Sequence, residues 1–102
     1  MQVLTTTGSR EEADRLATSA VEQRLAACAQ VFGPITSTYR WRGAIETADE
    51  WQCVLKTTAA RCGELTAHLR AHHSYETPEI VASPIVGGNP EYLSWIAQET
   101  AR

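Results

Sequence analysis

The chain has 102 residues, of which 43% are hydrophobic and 21% charged, with a formal net charge of −3. That length suits one domain, residues 1–102, built on one modest core, and that balance excludes a disordered chain. Lys56 is the only lysine and no run approaches the ~20 consecutive apolar residues of a membrane span, so a nucleic-acid backbone binder and a membrane-spanning helix are both set aside.

The elements follow in chain order. Residues 2–7 are short, apolar and threonine-rich, which predicts a buried strand that Gly8 ends. Ser9 and Glu12 have the spacing of a capping box. The helix behind it carries Ala13, Leu16, Ala17, Ala20 and Val21 on one face and ends near Arg24. Residues 25–32 are small and apolar and lead to Gly33-Pro34. From Ile35 the period becomes two, with Ile35, Ser37, Tyr39 and Trp41 on one face of a strand. Gly43 turns the chain into a second strand over residues 50–57, giving a hairpin with Trp51, Cys53 and Leu55 on one face.

A helix is predicted over residues 59–72, with Cys62, Leu65 and Leu69 as its apolar stripe. It cannot pass Thr77, because the residue before proline is pushed out of the helical region. Residues 79–86 form a further strand, which Pro84 places at an edge or a bulge. Asn89-Pro90 starts a last helix, whose apolar face is Tyr92, Leu93, Ile96 and Ala97. The order βαββαβ plus a C-terminal helix is the α+β, ferredoxin-like split βαβ sandwich, with two helices on one face of a sheet. The other face is open, and Tyr39, Trp41 and Trp51 point to an interface role for at least one aromatic, against simple filling of the monomer core.

The N-terminus has no basic region and no small-residue cleavage site, so no secretory signal is expected. Three cysteines, Cys28, Cys53 and Cys62, are an odd set without a C-x-x-C pair. A reduced, cytoplasmic setting with structural thiols follows.

The chemistry-bearing candidates are histidines. His68 and His72 stand i, i+4 on one helix face, a spacing that suits copper, zinc or nickel. His72 and His73 point about 100° apart in a regular helix and share an ion only if the helix ends between them. Histidines in a last turn also complement the helix dipole, so both readings stay open. Glu76 and Glu79 either complete a metal site, serve as a base for one, or are solvated loop carboxylates. Glu11 and Glu12 oppose phosphate at the first helix N-terminus. No Ser-His-Asp or Cys-His arrangement is visible, and no catalytic pair demands an enzyme.

The chain resembles the CutA family of divalent-cation tolerance proteins over nearly its whole length. The resemblance is carried by Val3-Leu4-Thr5-Thr6, Arg24-Leu25-Ala26-Ala27-Cys28, Ser37-Thr38-Tyr39-Arg40-Trp41, Lys56-Thr57-Thr58, His73-Ser74-Tyr75-Glu76-Thr77-Pro78-Glu79-Ile80 and Tyr92-Leu93-Ser94-Trp95, in order. It implies a homotrimer of ferredoxin-like subunits that pair edge to edge, and a non-enzymatic role in tolerance of divalent metal, copper(II) above all. It implies a metal site of a first-strand cysteine and a histidine pair. Here the pair falls on His72 and His73, the cysteine position is Thr5, and Ser74 stands where the family has proline. It also implies an intersubunit cleft lined by Tyr39, Trp41, Lys56, Tyr75 and Glu76, where lysine beside aromatics suits a small anionic ligand. A small-molecule sensor or signalling adaptor using that cleft is the alternative function, with protein partners beyond the chain's own copies unnamed.

Overall fold

In a computed structural model that describes residues 1–101, the elements are β1 (Gln2–Thr7), α1 (Arg10–Glu22), β2 (Cys28–Trp41), β3 (Ala44–Lys56), α2 (Ala59–His72), β4 (Ile80–Ser83) and α3 (Pro90–Glu99). The four strands form one antiparallel sheet in the order β2-β3-β1-β4. This is the ferredoxin-like α+β sandwich expected from the order of elements.

Each helix begins where a short polar side chain caps it. The Glu12 and Arg61 backbone N–H groups donate to Ser9 Oγ and Thr58 Oγ1, at 3.2 and 3.3 Å. The Glu91 N–H donates to Asn89 Oδ1 with Pro90 in the first turn. The core lies between sheet and helices. β1 supplies Val3, β3 supplies Cys53 and Leu55, α1 supplies Ala13, Leu16 and Ala20, and α2 supplies Leu65 and Leu69. Burial pushes the Cys53 thiol up to about 12, with the charge of Asp14 adding to it, so this cysteine is an inert core side chain. By strand alternation the opposite face carries Phe32 and Val81, which stay 46% and 54% exposed.

Three element boundaries differ from expectation. β2 begins at Cys28, because Gly33-Pro34 does not break it. The pairing with β3 shifts register between Phe32 and Ile35 and resumes. Proline is tolerated there because β2 is an edge strand, and Gly33 is required because an added Cβ would meet Trp51 Cδ1 at 2.7 Å. β3 begins at Ala44, six residues before the predicted start at residue 50, since residues 44–49 pair with β2 through backbone bonds without the apolar alternation that would reveal a strand. β4 is four residues long and ends before Pro84. The chain reverses at Arg42 and Gly43, with φ of 49° and 83°, as a two-residue hairpin of the mirror-image type. The pairs from Ile35–Glu50 to Trp41–Ala44 therefore project past β1 as a two-stranded ribbon.

Candidate functional site

The end of α2 separates the two neighbouring histidines. α2 stops at His72, and His73 adopts an extended backbone, φ −83° and ψ 142°. That conformation swings the His73 ring off the helix and into the body, where its side chain is fully buried. Its Nδ1 accepts from the Tyr75 backbone N–H at 3.1 Å, so the ring proton sits on Nε2, which donates to the Thr6 carbonyl oxygen at 2.8 Å. Both ring nitrogens are used inside the fold, so His73 offers no lone pair to a metal ion. Thr5, at the position where the resemblance expects cysteine, is also fully buried, and its hydroxyl donates to the Glu79 carbonyl oxygen at 2.7 Å. The family's cysteine position thus holds a buried, internally bonded threonine, and of the expected pair, His72 and His73, only His72 presents an unbonded ring nitrogen. Among the described residues no group of three or more His, Cys, Asp or Glu side chains is placed to hold an ion.

A buried carboxylate completes this knot. Glu12 accepts from the Ser74 N–H and the Ser74 hydroxyl, each at 2.8 Å. Its Oε2 lies 3.6 Å from His73 Nδ1, which carries no proton in this arrangement. Proline at position 74 would have no N–H to give, so serine here ties the loop to α1 more fully. Sequence reasoning assigned Glu12 to a capping box. Ser9 does cap α1, but the Glu12 carboxylate is committed to Ser74, 62 residues away, which no local pattern announces.

His72 keeps to the helix surface. Its Nδ1–H donates to the His68 carbonyl oxygen at 2.9 Å, leaving Nε2 for an external partner. The rings of His68 and His72 lie 4.4 Å apart between centroids, tilted by 35°. His68 Nε2 is 2.9 Å from the Ser19 hydroxyl on α1. Partial desolvation, and then the neighbouring His72, hold the His68 pKa below the ordinary imidazole value.

The second feature is a cleft of about 740 Å³ between the ribbon and the loop after α2, lined by Tyr39, Trp41, Glu50, Tyr75, Glu76 and Glu79 among others. Period two puts Ser37, Tyr39 and Trp41 on the cleft face of β2. The Tyr75 hydroxyl donates to Glu50 Oε2 at 2.8 Å, and burial and that carboxylate push its pKa well above the usual phenol range. Gly8 sits beneath, where a Cβ would come 3.2 Å from the hydroxyl. Arg42 stands over the Trp41 ring, 5.3 Å from its centroid, and pairs with Glu76 at 3.5 Å on the exposed rim.

Four of the five expected cleft residues thus meet: Tyr39, Trp41, Tyr75 and Glu76. Lys56 does not join them. It lies six residues beyond Glu50 on β3, about 20 Å away at ~3.4 Å per residue, and donates to Gln30 Oε1 at 2.9 Å. Glu50, which sequence reasoning missed, is buried at the foot of the cleft with the Tyr75 hydroxyl as its partner. Within one chain the cleft is acidic and aromatic, which suits a cationic or neutral guest better than an anion.

Comparison with known proteins agrees with this architecture. The family described as CutA1 divalent ion tolerance protein matches residues 1–99. The divalent-cation tolerance protein CutA of Thermus thermophilus is 43% identical over 98 residues, covering 96% of this chain and 95% of that protein. The chloroplastic CutA protein of Arabidopsis thaliana is 38% identical over 98 residues, and the chain spans about half of it, 54%. The solved Thermus thermophilus Cut A1 structure superposes with a TM-score of 0.94 at 42% identity, covering 99% of this chain and 100% of that one. The structure titled periplasmic divalent cation tolerance protein CutA from Archaeoglobus fulgidus superposes with a TM-score of 0.94 at 40% identity, covering 98% and 97%. With this match over nearly the whole chain and this agreement of fold, the chain belongs to the CutA1 divalent ion tolerance family.

Proposed function

We propose that the chain acts as a cytoplasmic homotrimer that binds a divalent metal ion, copper(II) foremost, and contributes to metal tolerance by binding rather than by catalysis. The observation that carries this reading is the exposed His72 imidazole, its Nδ1–H fixed on a backbone carbonyl and its Nε2 free. That is how proteins commonly orient metal-binding histidines. Copper(II) leads the divalent affinity order at such a nitrogen. The relatives' printed names, divalent-cation tolerance proteins, point the same way.

Assembly is supported by the two open sheet edges, β2 and β4, and by the projecting ribbon with Tyr39, Trp41 and Ile45 at 41%, 40% and 68% exposure. An intersubunit cleft also accounts for Lys56. The two halves of such a cleft come from different copies, so lysine and aromatics need not meet within one. The cytoplasmic setting rests on three free cysteines, although one similar structure is titled periplasmic and one similar protein chloroplastic. The second reading, a small-molecule sensor or adaptor, is favoured by the aromatic and acidic lining of the cleft.

Native mass spectrometry with copper(II) titrated against a competing chelator separates these readings. The expected result is a trimer that takes up one ion per subunit. A trimer that takes up none transfers the assignment to the cleft, and a monomer contradicts the assembly.

A further inference from the structure

We propose that His68 and His72 together form a two-imidazole chelate for a borderline divalent cation on the face of α2 that looks toward α1. This deepens the metal-binding reading and rests on it, by naming the second ligand as His68 and not His73.

The geometry supports the pair in four ways. First, residues i and i+4 share a helix face, and the two ring centroids are already 4.4 Å apart, so small side-chain rotations bring both rings to one ion. Second, the His72 Nδ1–H bond to the His68 carbonyl sets the tautomer that presents a bare Nε2. Third, His68 can release Ser19 without stranding it. The Leu16 carbonyl oxygen lies 3.3 Å from the Ser19 hydroxyl, so that hydroxyl has an acceptor for its one proton when the imidazole turns to an ion. Fourth, His72 lines a groove of about 520 Å³ along α1, whose other lining residues include Ser19, Asp14, Arg15 and Glu22. That groove leaves room for the waters that complete the coordination sphere.

Imidazole nitrogen selects the class of ion. Copper(II), nickel(II) and zinc(II) suit it, while magnesium and calcium prefer all-oxygen sites. His73 is excluded by its two internal hydrogen bonds.

The test is calorimetric titration of nickel(II), which the free thiols do not reduce, into the intact protein and into His72→Ala, His68→Ala and His68→Gln. The glutamine variant keeps a polar partner for Ser19 and guards against a packing effect. Each substitution is expected to weaken nickel(II) binding by at least about tenfold, the low end of the cost of even an outer-shell change at a metal site. Magnesium is expected to give no heat of binding. Wild-type nickel(II) affinity in the two His68 variants overturns the chelate while leaving metal binding itself intact. Absence of both nickel(II) and copper(II) uptake by the unaltered protein overturns the broader reading as well.

Discussion

Replacing His73 by alanine lowers the unfolding free energy by about 3–4 kcal/mol. The sum has two sources. Truncating a fully buried ring leaves a cavity that costs roughly 2 kcal/mol in a site that cannot collapse. The Thr6 carbonyl oxygen loses its partner, at about 1 kcal/mol, and the Tyr75 N–H, which is exposed to water, adds a smaller amount. Urea unfolding at one fixed protein concentration reads this directly, since association would otherwise shift the apparent stability. A loss below about 1 kcal/mol would mean that the ring is not holding the loop after α2 to β1. The same substitution separates a structural role from a ligand role, because a ligand on the surface would change metal affinity with little change in stability.

The second large effect is at Leu69, which is fully buried between α2 and the sheet. Leu69→Ala is expected to cost about 3–4 kcal/mol, within the ~2.7–5 kcal/mol spread for buried leucines whose surroundings relax only in part. Leu69 lies in the same turn as His68 and His72, so it seats the turn that presents both rings. Urea unfolding also measures this, and a loss under about 1.5 kcal/mol would show that neighbouring side chains refill the space.

How far the sequence carries the fold depends on which force dominates locally. β1, α1, α2 and the start of α3 are legible because capping residues and apolar spacing act over a few positions: Ser9 and Asn89 cap as expected, and Thr58 caps α2 without having been singled out. The ribbon leaves little trace in the sequence for a physical reason. Residues 44–49 are held by backbone pairing to β2 while their side chains stay mainly in water, so burial leaves no pattern there. Gly33-Pro34 resembled a break because proline cannot donate to a ladder, yet at an edge strand only a register shift results.

The site was legible in the same partial way. Period two puts Tyr39 and Trp41 on one strand face, and it is the family resemblance that assigns them, with Tyr75 and Glu76, to a cleft. The direction of the His73 ring was not legible. It depends on one extended residue after α2 and on a carbonyl of β1, 67 residues earlier in the chain. The Glu12–Ser74 bonds are likewise fixed only once α1 and the loop meet in space. Among metal readings, i, i+4 spacing favours His68 with His72 and the family resemblance favours His72 with His73. The ring geometry places the first pair side by side and buries the odd member of the second.

That division of roles among the three histidines is tested most directly by a long-range proton–nitrogen correlation spectrum of the imidazole rings, recorded before and after addition of zinc(II). The expected spectrum has His73 protonated at Nε2 and bare at Nδ1, unmoved by zinc(II), while the ring nitrogens of His68 and His72 shift together. A spectrum in which the His73 nitrogens move with those of His72, leaving His68 unchanged, would contradict it.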